Sequence, residues 1–313
     1  MTDRHLSRRA ALVAVAGIAA VPLVGCGNDE TPDRKAPPGG TRKPDPTGPT
    51  NHTGQTGPAF AALERKYKAV LGVYAVDTGS GRTVVHRPDE RFAYASTCKA
   101  LIAGAVLKRN TLRQMERRIV FGPEVIEPHS PITEPRVGKG MSLRELCDAT
   151  VRYSDNAAAN LLFDELGGPA GLQKALRAIG DRVTRCDRYE TELSAAVPGD
   201  LRDTSTARAL AADLREYALG NVLPGDRRAV LVDWLKRNTT GDALIRAGAP
   251  EGWTVGDKTG SGGYGTRNDI AVVWPPGRAP IVLAALSKKD VEDAKPEDAL
   301  IAEAAGVALG VFV

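Results

Sequence analysis

A serine and a lysine three residues apart could form a nucleophilic centre in this chain. Ser96 and Lys99 lie directly before the helix-prone run 100–107. If the helix begins at the serine, this spacing places both side chains on one face, where the amine can share a hydrogen bond with the hydroxyl. A nearby amine and the positive end of a helix both favour an activated hydroxyl. The spacing is common by chance, however, and such a serine is usually only a helix cap.

Two further motifs follow in order and support the first. Ser154-Asp155-Asn156 adds a second hydroxyl and a side-chain amide, and Lys258-Thr259-Gly260 adds a second amine. Each motif alone carries limited information. The ordered set of three is far more specific than any one of its members.

With these three motifs the chain resembles the class A β-lactamases, and the resemblance covers residues 58–313. Residues 185–193 resemble the omega loop of that family and include Glu190. Penicillin-targeted transpeptidases share the three motifs but generally lack this glutamate, so Glu190 is the discriminating residue. Further agreement lies in residues 130–133, 145–147, 158–162, 202–204, 233–235 and 252–253.

The resemblance implies a role for each motif residue. Ser96 would attack the strained lactam carbonyl and form an acyl-enzyme. Lys99 would take the Ser96 proton if it is neutral, or lower the cost of the alkoxide if it is charged. Ser154 would pass a proton to the departing lactam nitrogen, and Asn156 would hold the acylamido side chain and the lysine. Asp155 is expected to be structural, buried and bonded to backbone.

The omega loop implies the second half of the reaction. Glu190 would orient and deprotonate the hydrolytic water. Arg188 and Asp203 would form an ion pair that closes the loop. Ser194 stands where the family usually has an asparagine that also holds the water, so we expect slower deacylation of some substrates.

Donors on adjacent strands are implied to bind the substrate. Lys258, Thr259 and Arg267 would bind its carboxylate. The backbone N–H groups of Ser96 and Ser261 would form an oxyanion hole, a contribution of a few kcal/mol per donor. The full substrate-binding set is Asn156, Lys258, Thr259, Gly260, Ser261 and Arg267.

Composition argues against several other classes of protein. The 42 basic and 38 acidic residues are well interspersed, so we expect no nucleic-acid partner. Cys98, Cys147 and Cys186 form no Cys-x-x-C pair and lie near no histidine cluster, so we predict no metal site and favour buried thiols over a disulfide. We also expect no cofactor, and a monomer whose partners are β-lactam small molecules.

The first 26 residues predict an export signal. A basic start is followed by an apolar run, residues 10–24, which is short for a membrane span. The pair Arg8-Arg9 after Ser7 resembles a twin-arginine signal, and the general secretory route stays open.

A lipid anchor and a tether are expected to follow the signal. Residues 23–26 resemble a bacterial lipobox, so Cys26 would be lipidated and would hold the protein on the outer face of the membrane. Without lipidation the protein would be secreted or periplasmic. Residues 27–57 are rich in Pro, Gly and Thr and are predicted to be a disordered tether.

Strand patterns at both ends of residues 58–313 predict an α+β domain. Helical patterns fill the middle, so the terminal strands should pair in one antiparallel sheet of about five strands packed with helices. An all-helical lobe, about residues 89–239, would be inserted between strands, and the α/β lobe would comprise about 58–88 and 240–313. The strand-like runs are 72–77, 83–86, 252–258, 267–274 and 281–286.

Hydrolysis of the β-lactam ring of penicillins and some cephalosporins, giving antibiotic resistance, is the function that this sequence favours. A D-alanyl-D-alanine peptidase or transpeptidase would use the same three motifs, although Glu190 argues against it. A non-hydrolysing penicillin sensor would acylate once and stay acylated. The three hypotheses differ in the fate of the acyl-enzyme.

Overall fold

A computed structural model describes residues 53–313, with side chains from residue 56 onward. The export signal, Cys26 and most of the expected tether lie outside these residues. Within the described part the strands are β1 (Val70–Asp77), β2 (Thr83–His86), β3 (Arg91–Ala93), β4 (Arg118–Ile119), β5 (Met141–Ser142), β6 (Thr204–Thr206), β7 (Thr254–Ser261), β8 (Arg267–Trp274) and β9 (Ile281–Lys288).

The main sheet is antiparallel and has the strand order β2-β1-β9-β8-β7. The first strand pairs with the last, from Val70 opposite Lys288 to Asp77 opposite Ile281. This pairing confirms that both ends of the folded chain build one sheet. The other strands form two short pairs, β3 with β6 and β4 with β5.

Strand β9 shows why both faces of the sheet are covered. Val282 and Leu286 belong to one hydrophobic cluster, whereas Leu283 and Ala285 belong to another. Side chains alternate between the two faces of a strand, so a continuous apolar run supplies both clusters. Helices must therefore pack on each side of the sheet.

The helices are α1 (Thr53–Tyr67), α2 (Cys98–Arg109), α3 (Leu143–Arg152), α4 (Asn156–Leu166), α5 (Pro169–Ala178), α6 (Ala207–Ala218), α7 (Gly225–Lys236), α8 (Ile245–Gly248) and α9 (Asp298–Gly310). Helices α1, α8 and α9 contribute to one cluster, whereas α2 to α7 contribute to the other. Helix α6 lies against β1, β8 and β9.

Helix α2 is the centre of the helical lobe. Every residue from 98 to 107 is buried, and α3 to α7 all contact this helix. Its apolar side chains include Leu101 and Ile102, and burial of each such side chain contributes about 1.5–3 kcal/mol. Because neighbours cover all its sides, the turn that precedes α2 is held in place.

Side-chain caps define where α3 and α4 begin. Ser142 and Glu145 form a reciprocal capping box at the start of α3. The Asp155 carboxylate caps α4 by accepting the Ala158 N–H at 2.9 Å. Ser154 thus lies in a short turn after α3, directly before the capped start of α4.

Two boundaries differ from those expected. Helix α1 begins at Thr53, so the end of the predicted tether is helical; Thr56 is buried and so packs against the domain instead of remaining solvated. The sequence pattern predicts a final helix from Asp290 or Lys295 to Ala308, whereas the last helix begins at Asp298, because Pro296 disfavours helical backbone at Lys295. The pairs β3–β6 and β4–β5 were not predicted, since strands of two or three residues have no readable periodicity.

Three cysteines in this part of the chain, Cys98, Cys147 and Cys186, are free and buried, as expected. Burial raises the pKa of the Cys186 thiol to about 12. Across residues 53–313, no helix is both long enough and apolar enough to cross a membrane.

Candidate active site

A cleft of about 390 Å³ brings the three motifs together. The omega loop, residues 185–203, forms one wall, and β7 forms another. Lys99 and Lys258 are fully buried beside it. The residues that line the cleft are Ser96, His129, Ser154, Asn156, Glu190, Thr191, Ser194, Thr240, Thr259, Gly260, Ser261 and Arg267.

Ser96 lies in a short 3-10 turn, Ala95–Thr97, immediately before α2. Buried Tyr94 anchors this turn, because its N–H donates to the Asp203 carbonyl and its hydroxyl to the Asp203 carboxylate, both at 3.1 Å. On the other side the turn contacts β7 at Gly260, where a Cβ would lie 3.0 Å from the Tyr94 carbonyl oxygen. A glycine is therefore suited to this close approach of strand and turn.

The Glu190 carboxylate connects the serine with the lysine. Its Oε1 accepts a hydrogen bond from Ser96 Oγ at 3.0 Å and lies 2.9 Å from Lys99 Nζ. A hydrogen bond between the Lys99 amine and the Ser96 hydroxyl was expected. The described residues show none, because both groups bond to the same oxygen, Glu190 Oε1. Its Oε2 accepts from Ser194 Oγ at 3.1 Å.

Asn160, on α4, holds the backbone of Glu190. The Asn160 amide donates to the Glu190 carbonyl at 2.8 Å and accepts the Glu190 N–H at 2.9 Å. No role for Asn160 was expected from the sequence. The available signal was a single amide within the apolar run 157–163 of α4. The base-like carboxylate is thus fixed by the helical lobe as well as by its own loop.

Lys99 has three acceptors within 2.9 Å of its Nζ. These are the Ser154 carbonyl oxygen at 2.8 Å, Asn156 Oδ1 at 2.5 Å and Glu190 Oε1 at 2.9 Å. Three acceptors match the three N–H donors of an ammonium group. The Lys99 and Glu190 side chains are 0% and 2% exposed, so their charges compensate each other away from solvent.

The Ser154 hydroxyl lies between two amines. Lys258 Nζ donates to it at 3.1 Å, and Lys99 Nζ lies 3.5 Å away. Burial, and then the nearby Lys99 charge, lower the pKa of Lys258 to about 7. An amine that titrates near neutrality beside a hydroxyl can exchange a proton with it.

Asn156 and Asp155 have different surroundings. The Asn156 amide lines the cleft and donates to the Pro128 carbonyl at 2.7 Å. Asp155 is fully buried, and its carboxylate accepts the Thr133 N–H at 3.0 Å. Asp155 therefore has the buried, backbone-bonded position that was expected.

The opposite end of the cleft carries donors for an anion. Thr259, Ser261 and Arg267 all line it, and Ser261 is opposite Arg267 in the pairing of β7 with β8. Arg267 Nε also donates to Asp298 Oδ1 at 2.6 Å, so part of the guanidinium is held by a carboxylate of the protein. This second partner was not expected from the sequence.

An ion pair joins the two ends of the omega loop. Arg188 Nε donates to Asp203 Oδ2 at 2.6 Å, and the Asp203 side chain is fully buried. Its other oxygen accepts the N–H groups of Asp187 and Arg188 at 2.8 and 3.0 Å. A single carboxylate thus has four N–H or O–H partners when the Tyr94 hydroxyl is included. The peptide bond between Glu190 and Thr191 is cis.

Thr240 was not recognised from the sequence as part of the site. It follows α7 in the chain, and its hydroxyl lies 2.6 Å from that of Thr259. No motif marks this position. Within residues 53–313 no group of three or more His, Cys, Asp or Glu side chains is arranged to hold a metal ion.

The α+β fold and the grouping of Ser96, Lys99 and Glu190 define a serine enzyme of the Ser-x-x-Lys type. Comparison with known proteins gives the family. The β-lactamase enzyme family model matches residues 57–312. The chain belongs to the class A serine β-lactamases.

Individual relatives agree with this assignment. A β-lactamase of Bacillus amyloliquefaciens is 58% identical over 254 residues, which cover 81% of this chain and 83% of the relative. β-Lactamase 1 of Streptomyces cacaoi is 50% identical over an alignment of 317 residues, which covers 95% of this chain and 96% of that relative. The crystal structure of a class A β-lactamase from Clostridium kluyveri superposes with a TM-score of 0.81 at 49% identity, covering 82% of this chain and 98% of that one.

Proposed function

We propose that the protein hydrolyses the β-lactam ring of penicillins and some cephalosporins through a serine acyl-enzyme, and that it thereby confers antibiotic resistance. The position of Glu190 carries the proposal. Its carboxylate lies 3.0 Å from the Ser96 hydroxyl and accepts from Ser194, and its backbone is held by Asn160. A fixed base beside the nucleophile supports release of the acyl group by water, which a sensor or a transpeptidase does not require.

Acylation would begin with attack of Ser96 Oγ on the lactam carbonyl carbon. The Ser96 proton would pass to Glu190, whose carboxylate already accepts it. The C–N bond of the ring breaks, and the departing nitrogen takes a proton from Ser154. Lys99 would resupply the Ser154 hydroxyl and regain its own proton from Glu190, so that the carboxylate is free again for deacylation. Lys99, with three acceptors, would act as a positive charge near the developing alkoxide. The backbone N–H groups of Ser96 and Ser261 would bind the oxyanion, each worth a few kcal/mol.

Deacylation would depend on Glu190. Its carboxylate takes a proton from a water molecule, which attacks the ester carbon, and the ester bond to Ser96 breaks as the serine regains a proton. Arg188 and Asp203 would keep the omega loop closed, so that the carboxylate stays at this distance. Ser194 contacts Glu190 directly and would orient the base.

Substrate binding would divide between the two ends of the cleft. Asn156 would hold the acylamido side chain. At the other end Lys258, Thr259 and Arg267 would bind the carboxylate, and Gly260 would allow β7 to lie against the nucleophile turn. This arrangement places the lactam carbonyl beside Ser96.

The acyl-enzyme can be followed directly by mass spectrometry of the protein mixed with benzylpenicillin. We expect wild type to return to its free mass, whereas Glu190→Ala remains acylated, since Lys99, without its carboxylate partner, can take the Ser96 proton in a slower acylation. Glu192→Ala removes an exposed carboxylate from the same loop and serves as the matched control, which should behave as wild type. Equal persistence of the adduct in wild type and Glu190→Ala would favour a sensor or a transpeptidase.

We also propose that the protein is exported and anchored through Cys26, on the basis of the signal-like residues 1–26. Labelling of cells with radioactive palmitate tests the anchor. Wild type should carry label and remain with the membrane fraction, and Cys26→Ser should lose the label. An unlabelled wild-type protein would contradict lipidation.

A further inference from the structure

A chain of hydrogen bonds leads from a buried carboxylate to the cleft. Arg246 Nε donates to Asp257 Oδ1 at 2.6 Å, and Asn238 Nδ2 donates to Asp257 Oδ2 at 2.5 Å. The side-chain amide oxygen of Asn238, Oδ1, lies 2.9 Å from Thr240 Oγ1, which in turn lies 2.6 Å from Thr259 Oγ1. Asn238 and Asp257 are 2% and 0% exposed, so solvent does not compete for these bonds.

The direction of each bond in this chain follows from the chemistry of its members. An arginine can only donate, so Asp257 accepts, and Asn238 must turn its NH₂ group toward the same carboxylate. The Asn238 oxygen then faces Thr240, whose backbone N–H also donates to it, at 3.2 Å. Because an amide oxygen cannot donate, the Thr240 hydroxyl is the donor to Asn238.

The orientation of the Thr259 hydroxyl is therefore determined. A hydroxyl has one hydrogen, and that of Thr240 is used on Asn238, so Thr259 donates in the contact between the two threonines. In the substrate-free site Thr259 points its hydrogen at Thr240 and presents lone pairs to the cleft. That arrangement is unfavourable for an entering carboxylate.

A concerted rotation of two hydroxyls resolves the conflict. The Thr259 hydrogen turns to the substrate carboxylate, and the Thr240 hydrogen turns from Asn238 to Thr259. The Asn238 oxygen keeps the Thr240 N–H, so no buried group loses its only partner. The chain of hydrogen bonds then ends on the charged substrate carboxylate, which forms a stronger hydrogen bond than a neutral amide oxygen does.

We propose that Thr240 is a positioning residue for substrate binding, which acts through Thr259 as a hydroxyl relay that switches from acceptor to donor when a carboxylate arrives. This inference rests on the proposed function and deepens it at the carboxylate end of the cleft. Thr240 does not itself need to touch the substrate. Its effect should appear in affinity and not in the chemical step.

Binding without turnover isolates the relay. In a Ser96→Ala background, the dissociation constant of benzylpenicillin is measured by calorimetry for Thr240→Val and Thr240→Ser. We expect Thr240→Val to raise the dissociation constant about three- to tenfold relative to Ser96→Ala alone. Thr240→Ser keeps the hydroxyl, so its dissociation constant should agree with that of Ser96→Ala within about twofold. In proteins with Ser96 present, Thr240→Val should raise KM and leave kcat within about twofold.

A double-mutant cycle separates the relay from a simple loss of packing. In a Thr259→Val background the relay has no terminal donor, so Thr240→Val should cause no further weakening. Thr240→Ala repeats the cycle if the valine variant does not fold. The proposal would be overturned if the effects of Thr240→Val and Thr259→Val on the dissociation constant were additive. It would also be overturned if Thr240→Val left the dissociation constant unchanged, or if Thr240→Ser weakened binding as much as Thr240→Val does.

The outcome is distinguishable from failure of the proposed function. If wild type stays acylated, hydrolysis is contradicted, but the dissociation constants of the Ser96→Ala series still report on the relay. If the Ser96→Ala protein binds no penicillin at all, both proposals are overturned.

Discussion

Ser194 donates its hydroxyl to Glu190 Oε2 at 3.1 Å, while Ser96 donates to Oε1 of the same carboxylate. Ser194 thus contacts the Glu190 carboxylate directly. A longer amide at this position could contact both the base and a water molecule beside it. We therefore expect the short side chain of Ser194 to be the cause if deacylation of some substrates is slow.

Replacement of Ser194 should change deacylation more than acylation. We expect Ser194→Ala to lower kcat about three- to tenfold, because Glu190 loses a donor that orients it. Ser194→Asn should raise the deacylation rate for substrates that wild type releases slowly. Stopped-flow measurements with cephalosporins and carbapenems separate the two steps. If wild type accumulates no acyl-enzyme with any of them, slow deacylation is contradicted.

The pKa of Lys258, lowered to about 7 by burial and by the Lys99 charge, predicts a pH dependence of substrate binding. The amine is charged below this pH and neutral above it, so attraction for the substrate carboxylate should weaken as the pH rises. We expect the KM of wild type for benzylpenicillin to increase between pH 6 and pH 9. Lys258→Arg keeps its charge throughout this range, and its KM should stay level. Parallel profiles for the two proteins would refute this assignment.

Removal of Arg188 should destabilise the protein because Asp203 would remain as a buried charge without its cation. The expected loss in the free energy of unfolding is about 3–5 kcal/mol, measured by denaturation in urea. Arg202→Ala is the matched control, since the Arg202 guanidinium is solvent-exposed and its pair with Asp200 should contribute little. A similar small effect in both variants would show that the buried pair does not hold the omega loop.

Asp213 offers a stabilising substitution. Its side chain is buried, and burial together with the nearby Asp181 carboxylate raises the pKa of Asp213 well above 3.8. The relevant pH window lies between 3.8, the ordinary pKa of the carboxyl group, and the raised pKa of Asp213 in the folded protein. Within this window the folded protein holds a proton that the unfolded chain releases. Wild-type stability therefore falls as the pH rises through it.

Asp213→Asn cannot ionise and should escape this penalty. We expect a higher Tm than wild type at pH 8, with the difference disappearing toward pH 3, as measured by calorimetry across the pH range. Asp148→Asn, at a partly exposed position in an ion pair with Arg152, controls for a general effect of removing a carboxylate. A variant less stable than wild type at pH 8 would contradict the assignment.

Local patterns accounted for most of the fold. The strands β1, β2 and β7 to β9 were predicted to within three residues at each end, since strand patterns bounded by turns are readable without tertiary information. Helical periodicity likewise indicated that helices fill the middle of the chain. Strands of two or three residues could not be predicted, because they exist only through their partners.

By itself, the sequence determined which chemical groups are present, the order in which they occur and the elements that carry them, because motifs and periodicity are local properties of a chain. The tertiary structure alone decided which groups meet. Glu190 is 94 residues from Ser96 in sequence and 3.0 Å from it in space, and it takes the bond that was expected to join Ser96 to Lys99. Likewise Thr240 reaches Thr259 only because the segment after α7 passes beside β7. Hydrogen bonds depend on positions and directions within a few ångströms, and separation along the chain does not specify either.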